Sequence, residues 1–260
     1  MKIFGVDFTS APRKAKAITV AHGFLGKNLL SIEKIERLES FDAFEALLRY
    51  PGPWIGGFDF PFGLPRELVR DLGWPRNWRR LVAFCAGLSR REWRGILDGY
   101  RATRPAGRKY AHRATDLPAG SSSPMKLVNP PVALMFHEGA PRIAEAGAHV
   151  PGLASGDRSR IALEAYPGLF ARRILGSVSY KNDSKAKQTI GRLTARKKLL
   201  EKIPVETSEQ IRRQLVDDAS GDSLDAVICA LQAAWGWQRR RRNFGLPARI
   251  EPCEGWIVSA

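Results

Sequence analysis

The segment KIFGVDFTSAP at residues 2–12 is an apolar run that ends in an acidic residue and a turn. The same order recurs in WIGGFDFPFGLP at residues 54–65 and in IALEAYPG at residues 161–168. Each acid stands at the carboxyl end of a predicted buried strand, where a charge is costly unless it is paired, hydrogen-bonded or bound to a metal. Three such positions in one chain predict a shared role. The three acids are Asp7, Asp59 and Glu164.

The elements around these segments predict an α/β fold with one mixed sheet. Three antiparallel strands come first, followed by a helix, a fourth strand, a long insertion, a fifth strand and several helices. This order puts the first strand at the centre, with the fourth and fifth strands parallel to it and helices on the flanks. The predicted strands are residues 2–8, about 16–24, about 28–38, 54–60, 160–166 and 254–259, and the predicted helices are residues 41–50, 168–176, 185–202, 207–218 and 222–239.

A single domain over residues 1–260 is predicted, with an insertion at about residues 65–158 between the fourth and fifth strands. Residues 65–100 follow an amphipathic helical pattern. Residues 101–129 contain Pro, Gly, Ser and many basic side chains with little apolar periodicity, which predicts a mobile basic loop. Such a loop is either functional or a solvated, disordered excursion, and both readings stay open.

The strand-end acids predict a divalent-metal site. The carboxyl ends of neighbouring parallel strands lie about 4.8 Å apart at the sheet edge where ligands bind in open α/β folds. Carboxylates packed so closely repel one another unless a cation neutralises them, and oxygen ligands suit Mg²⁺ or Mn²⁺. Taken singly, each acid has another explanation. Asp7 and Asp59 could accept hydrogen bonds in the turns that follow them, and Glu164 could pair with an arginine.

A fourth ligand is predicted in the helical segment GDSLDAVICALQAAW at residues 221–235. Its large apolar side chains, among them Leu224 and Ile228, fall on one stripe that is expected to face the sheet. Asp225 sits at the edge of that stripe and is the predicted fourth ligand, whereas Asp222 points further towards solvent and is the predicted fifth. Read alone, this pair is equally an ordinary helix start with favourable dipole charges.

The charge balance points to a polyanionic partner. The 260 residues carry 42 Lys+Arg against 26 Asp+Glu, a formal net charge of +16, which is typical of proteins that bind nucleic acid or another phosphate-bearing anion. An arginine-rich surface without such a partner would give the same balance. The three cysteines form no CxxC pair and the four histidines no zinc-type spacing, which favours reduced thiols in a cytoplasmic protein. With no apolar run of about 18 residues, no membrane span is predicted.

The motifs together resemble those of a known family. They are GVDFTSA at residues 5–11, FDFPFGLP at 58–65, SPMKLVNPPV at 123–132, LEAYPG at 163–168, DSLDAVICALQAAW at 222–235 and EGWIV at 254–258. In this order, over nearly the whole chain, they resemble domain of unknown function 429, a family of predicted nucleases with a ribonuclease-H-like fold. The resemblance implies that fold and an acidic metal site carried by Asp7, Asp59, Glu164 and Asp225.

The predicted mechanism uses two divalent ions, Mg²⁺ or Mn²⁺, to activate water and stabilise the leaving oxygen as a phosphodiester bond of nucleic acid is cleaved. Asp7 would bridge both ions. Asp59 and Asp225 would complete one of them, and Glu164 would hold the other or orient water. The basic side chains would grip phosphate and a tyrosine would stack on a base. The predicted substrate contacts are Thr9, Ser10, Arg108, Lys109, Tyr110, Arg113 and Lys126.

Two other functions fit the same residues. One is a non-catalytic nucleic-acid-binding protein whose ribonuclease-H-like site no longer holds metal. The other is nucleotide-dependent phosphotransfer of the actin-like type, because GVDFTSA faintly resembles the first phosphate loop of actin-like kinases. That reading needs two such domains and a Gly-rich adenosine-binding segment, which 260 residues with one acidic opening motif fit poorly.

Overall fold

The computed structural model describes residues 1–27 and 29–260. The strands of this described part are β1 (Lys2–Asp7), β2 (Ile18–Leu25), β3 (Leu30–Leu38), β4 (Trp54–Asp59), β5 (Ala148–His149), β6 (Asp157–Glu164) and β7 (Val205–Thr207). Its helices are α1 (Phe41–Leu48), α2 (Arg66–Asp71), α3 (Trp78–Ala86), α4 (Arg90–Ala102), α5 (Asp116–Ala119), α6 (Val132–Glu145), α7 (Pro167–Leu175), α8 (Ile190–Lys202), α9 (Glu209–Asp217) and α10 (Asp222–Gln238). Short 3₁₀ turns lie at Lys185–Lys187 and Arg240–Gly245.

In the described residues the strands form a mixed seven-stranded sheet in the order β5-β6-β4-β1-β2-β3-β7. Strands β1, β2 and β3 are antiparallel to one another, whereas β4 is parallel to β1 and β6 is parallel to β4. Helices of the insertion between β4 and β6 cover one face, and α10 covers the other. The predicted fold class, an α/β protein with a ribonuclease-H-like mixed sheet and a central first strand, is confirmed.

Alternation along β1 separates the two faces of the sheet. Phe4 and Val6 belong to the aromatic core beneath the insertion, while Ile3 belongs to the core beneath α10. Gly5 also points to α10, because a side chain there would collide with that helix. Since strand side chains alternate with a period of two, Asp7 at the end of β1 shares the α10 side.

Helix α10 lies directly against β1 and β4 because both strands carry glycine at the crossing. A Cβ at Gly5 would stand 2.0 Å from the carbonyl oxygen of Ala226, and a Cβ at Gly57 would stand 2.3 Å from that of Cys229. The side of α10 that contacts these strands is therefore lined by small residues. Of the predicted stripe of large apolar side chains, Leu224, Val227 and Ile228 are buried, whereas Leu231 and Trp235 are partly exposed. The two glycines meet the backbone at Ala226 and Cys229 instead.

Some predicted boundaries differ from the structure. The predicted third strand starts at residue 28, which lies outside the described residues, and β3 begins at Leu30. The predicted closing strand at residues 254–259 is wrong, because Ile257 makes only an isolated bridge to Glu164 in the described chain. The sequence pattern also does not predict β5, β7 or α6.

The segment 101–129 packs against the protein over part of its length, so of the two readings left open the solvated, disordered excursion is wrong there. It contains α5 and buries Ala111, Met125 and Leu127 in the aromatic core. Ser123 holds a turn by donating to the carbonyl of Ala111 and accepting from the N–H of Met125 at 3.1 Å. None of the helices in the described residues combines the length and apolar character that crossing a bilayer requires.

Candidate metal centre

Three aspartate side chains meet at the carboxyl edge of β1 and β4. Asp7 ends β1 and Asp59 ends β4, and the parallel register puts the two residues side by side. Asp225 comes from the first turn of α10, the helix that packs across both strands. One carboxylate oxygen from each residue lies within 4.8 Å of the others. Asp7, Asp59 and Asp225 are called the aspartate cluster below.

Burial and mutual repulsion make the aspartate cluster receptive to a cation. Asp7 is 8% exposed and Asp225 is fully buried. Loss of solvent raises the pKa of Asp7 well above its ordinary value, and the charges of Asp222 and Asp225 raise it further. Burial and the charge of Asp225 raise the pKa of Asp59 to about 7. A cation that approaches the cluster relieves this repulsion and stabilises the ionised carboxylates.

Two lysines and a tyrosine contact these acids. The ammonium of Lys181 and the hydroxyl of Tyr180 both donate to the carboxylate of Asp225. Lys16, in the connection between β1 and β2, donates to both oxygens of Asp222 at 2.8 and 2.9 Å. Burial works to lower the pKa of Lys181, but the charges of Asp225 and Tyr180 outweigh it and the pKa is raised well above the ordinary value. Sequence reasoning misses both lysines, because nothing in the pattern sets them apart from the other basic residues.

Asp222, the predicted fifth ligand, lies beside the aspartate cluster and not within it. It is the first residue of α10, its side chain is 7% exposed, and both its oxygens accept from Lys16. Its charge is one of the causes of the raised pKa of Asp7. Asp222 therefore holds Lys16 at the edge of the cluster.

Glu164, a predicted metal ligand, lies on the opposite face of the sheet. In the register of β4 and β6 it stands opposite Phe58, one residue short of the level of Asp59. Because strand side chains alternate, this offset of one residue turns the Glu164 carboxylate away from the aspartate cluster and towards the insertion. Equivalent positions in the sequence motifs are therefore not equivalent positions in the sheet.

Arg113 and Glu164 form a buried ion pair. The guanidinium donates to the two carboxylate oxygens at 2.8 and 2.7 Å, and the N–H of Phe62 donates to the same carboxylate at 2.9 Å. The guanidinium also donates to Asp116 at 2.9 and 3.2 Å. Arg113, a predicted phosphate contact, borders the cleft above the aspartate cluster, but it is 2% exposed and its guanidinium is taken up by Glu164 and Asp116. It ties the insertion to the end of β6.

A cleft of about 850 Å³ opens above the aspartate cluster. Thr9 and Ser10, two of the predicted substrate contacts, line it directly after Asp7. Lys16 and Lys181 line it as well, so cations and acids face the same space. The floor of the cleft therefore carries negatively charged carboxylate oxygens, and the side chains around them offer hydroxyl and ammonium groups as hydrogen-bond donors.

The other predicted substrate contacts lie elsewhere. Arg108 and Lys109 are exposed. Tyr110 is half-buried, with the guanidinium of Arg101 4.7 Å from its ring centroid. As far as the described residues define the cleft, these three side chains and that of Lys126 are not part of its lining. They could contact a substrate only if it extended over the outer surface.

The donor set of the aspartate cluster fits Mg²⁺ or Mn²⁺. It offers three carboxylates, which are the hard oxygen ligands these ions prefer, and no thiolate or imidazole. The ammonium of Lys181 already lies on Asp225, so the cluster accepts a positive charge at this point. Asp7 and Asp59 have no direct lysine contact among the salt bridges of the described residues. Their carboxylates and that of Asp225 are the residues that could hold an ion.

Comparison with known proteins adds a family and no named relative. Residues 5–247 match the family model described as Protein of unknown function (DUF429). The chain has no significant match among curated proteins or solved structures. The matched region begins within β1 and ends after α10, so it includes every member of the aspartate cluster. The match covers most of the 260 residues, and the chain belongs to the DUF429 family.

Proposed function

We propose that the protein is a divalent-metal-dependent nuclease, a hydrolase that cleaves phosphodiester bonds of nucleic acid. The observation that carries the proposal is the convergence of Asp7, Asp59 and Asp225 at the floor of a cleft at the carboxyl edge of the sheet. Open α/β sheets bind ligands at this edge. The formal net charge of +16 supports a polyanionic substrate.

The aspartate cluster would hold Mg²⁺ or Mn²⁺, which when bound polarises a phosphoryl oxygen and lowers the pKa of coordinated water. The chain's own residues supply the remaining functions. Thr9 and Ser10 offer hydroxyl donors to phosphate oxygens beside Asp7. Lys16 offers an ammonium, positioned by Asp222, to a neighbouring phosphate.

Glu164 has a different role in this proposal from the one predicted for it. Its carboxylate is fully engaged by Arg113 and by the N–H of Phe62. The pair fixes the end of β6 and the insertion beside the cleft. Both residues border the cleft, so the pair forms one wall of the site.

Longer contacts with nucleic acid would use the outer basic surface. The exposed side chains of Arg108 and Lys109 are suited to phosphate contacts that carry no sequence information.

We propose a cytoplasmic location, because Cys85, Cys229 and Cys253 are buried and unpaired in the described residues.

A second candidate function is non-catalytic binding of nucleic acid. The contacts of Lys181 with Asp225 and of Lys16 with Asp222 favour it, since these ammonium groups neutralise acids without any metal. In that case the cleft would bind phosphate through the lysines alone. The two candidates differ in whether a divalent ion is needed.

The experiment is a cleavage assay with labelled single-stranded DNA, duplex DNA, RNA, RNA–DNA hybrid and a branched junction, each in EDTA, Mg²⁺ and Mn²⁺. Wild type, Asp7→Asn and the control Asp183→Asn are purified identically. Asp183 lines the same cleft and contacts Lys16 at 3.1 Å, but its side chain is 79% exposed, and in the variant both oxygens of Asp222 still hold Lys16. A nuclease cuts at least one substrate with metal, keeps that activity in Asp183→Asn, and loses about 10²-fold or more in Asp7→Asn.

Binding without cleavage, unchanged by metal and by Asp7→Asn, would support the second candidate. Cleavage at the same rate in wild type and Asp7→Asn would exclude the aspartate cluster as its source.

A further inference from the structure

The ammonium of Lys181 is built into the aspartate cluster. Lys181 lies between α7 and α8 and donates to the buried carboxylate of Asp225. Its stem passes over Gly221, the residue before α10, which has a φ of +77°. A Cβ at Gly221 would stand 2.7 Å from the Cβ of Lys181. Any residue larger than glycine would therefore displace the lysine, in addition to straining the backbone.

The segment that carries Lys181 is fastened to its surroundings by its backbone. The carbonyl of Tyr180 accepts from the guanidinium of Arg196 at 2.9 Å. The N–H of Asn182 donates to the carbonyl of Ala219 at 3.2 Å. These bonds leave the side chain of Lys181 as the part of the segment that can change partner.

The side chain of Lys181 has a route away from the acids. It is 40% exposed and lines the cleft, whereas the carboxylate it contacts is fully buried. A change of rotamer would move the ammonium into the cleft without crossing the protein core. A phosphate in the cleft would offer it a new negative partner.

The charges at the site limit how many divalent ions can be held beside Lys181. Asp7, Asp59, Asp222 and Asp225 supply four negative charges when ionised, and Lys16 and Lys181 supply two positive ones. Asp183 also contacts Lys16, at 3.1 Å, but its side chain is 79% exposed, so solvent screens its charge and it is left out of this balance. The remaining two negative charges match one divalent ion. A second divalent ion would face the ammonium on the same carboxylate and would be repelled unless that ammonium left.

We propose that Lys181 is an exchangeable internal cation of this site. It holds the place of a second divalent ion on Asp225 and moves to a substrate phosphate when that ion binds. The inference rests on the proposed function and deepens it, because it couples the second ion to the arrival of substrate. Lys181 is then a positioning residue for the metal and a contact for the substrate.

The test is Mn²⁺ binding by titration calorimetry to wild type, Lys181→Met, Lys181→Arg and the control Lys187→Met, all without substrate. The methionine variant keeps most of the stem and removes the charge, while the arginine variant keeps the charge. Lys187 is exposed and belongs to the same connection, so its replacement changes the net charge equally. Melting curves in EDTA and in Mn²⁺ accompany each titration.

Wild type, Lys181→Arg and Lys187→Met are expected to bind one ion with high affinity. Lys181→Met is expected to bind two, with the second at least about tenfold tighter than in wild type. In wild type the second ion binds only the state in which the ammonium has left Asp225. If that state is populated to about 10% or less, the apparent affinity for the second ion is at least about tenfold below the intrinsic affinity. The melting midpoint of Lys181→Met should be lower in EDTA and recover in Mn²⁺, because the ion replaces the missing charge.

Equal or weaker Mn²⁺ binding by Lys181→Met, with wild-type binding intact, would overturn the exchange while leaving the metal site standing. No binding by any of the four proteins would overturn the metal site and the exchange together. If Lys181→Met is unfolded in EDTA, Lys181→Gln serves in its place under the same criteria. Failure of Mn²⁺ to restore the fold of both variants also counts against the exchange.

Discussion

Replacing Asp59 by asparagine should change stability in opposite directions with and without metal. In EDTA, burial and the negative charge of Asp225 both disfavour the ionised form of Asp59, which is why its pKa is raised to about 7. Asparagine keeps the size of the side chain and removes its charge. At pH 8 Asp59→Asn should therefore be more stable than wild type in EDTA and less stable in Mn²⁺.

The magnitude follows from the raised pKa. The step from the ordinary 3.8 to about 7 corresponds to an upper bound of about 4 kcal/mol, since one pKa unit is worth about 1.4 kcal/mol. Asparagine in the same buried position also loses contact with water, so we expect a smaller gain of about 1–2 kcal/mol, or roughly 2–8 °C in the melting midpoint. For wild type, Mn²⁺ at 100 times its Kd should add about 2.7 kcal/mol, or roughly 5–10 °C.

The assay is thermal unfolding at pH 8, followed by circular dichroism over a series of Mn²⁺ concentrations. Asp183→Asn is the matched control, because Asp183 lines the cleft but is not a member of the aspartate cluster. The control should keep the full Mn²⁺ shift. If Asp59→Asn melts no higher than wild type in EDTA and still gains stability from Mn²⁺, the cluster is not the metal site.

Three further predictions concern pH, the buried ion pair and the packing of the strands. Because the pKa of Asp59 is raised to about 7 in the folded state, its contribution to the free energy of unfolding is full below 3.8 and is lost as the pH rises through about 7. In EDTA the melting midpoint of wild type should therefore fall from pH 6 to pH 8 more steeply than that of Asp59→Asn. Arg113→Met should lower the free energy of unfolding, measured in urea, by about 3–5 kcal/mol because it leaves Glu164 buried without its partner. Adding Glu164→Gln should restore part of the loss, and a loss below about 1 kcal/mol would contradict the ion pair. Gly5→Ala should lower the free energy of unfolding by at least about 3 kcal/mol because its Cβ would overlap the backbone of α10. Gly95→Ala, which has open space around it in α4, should be neutral or stabilising by up to about 1 kcal/mol. Equal urea midpoints for the two variants would refute the close contact.

The sheet could be predicted from sequence because its order depends on local patterns. The apolar runs that end in Asp7 and Asp59 mark strands that pair in parallel once the chain, after the antiparallel β2 and β3, returns to β1 through α1. Both acids consequently lie at one edge, side by side, as the pattern indicates. Asp225 could be predicted for a similar reason, since a buried helix start next to that edge has few other directions to face.

Glu164 could not be placed from sequence because register is a property of two strands. The motif around it matches those around the two aspartates, yet its strand pairs one residue out of step with them. A shift of one residue moves a side chain to the other face, and no feature of a single strand reveals it. The partner that gives Glu164 its role, Arg113, lies 51 residues earlier in a segment without apolar periodicity.

Helix α6 escapes prediction because tertiary packing outweighs local preference. It contains Gly139 and Pro141, residues that disfavour a helix interior. Gly139 is needed there, since a Cβ at that position would lie 2.6 Å from the ring of Phe60. The sequence does not show this close contact, because it depends on the tertiary position of Phe60 in the turn after β4.

The basic surface of this protein attracts a polyanion, whereas its acidic centre repels one. A net charge of +16 draws nucleic acid towards the protein, but ionised carboxylates at the floor of the cleft repel phosphate. Either reading of the function therefore needs cations at the floor, and Lys16 and Lys181 supply two positive charges for four acids. Two negative charges remain, and they can be removed by protonation or by one divalent ion. Protonation removes the charge of Asp59 only near or below pH 7, and the pKa of Asp7 is raised as well by burial and by the charges of Asp222 and Asp225. As the pH rises and these acids ionise, the proposed nuclease needs a divalent ion before phosphate can approach, so its nucleic-acid binding in the cleft should become dependent on metal before any cleavage is considered, whereas binding through the lysines alone would not depend on metal at any pH.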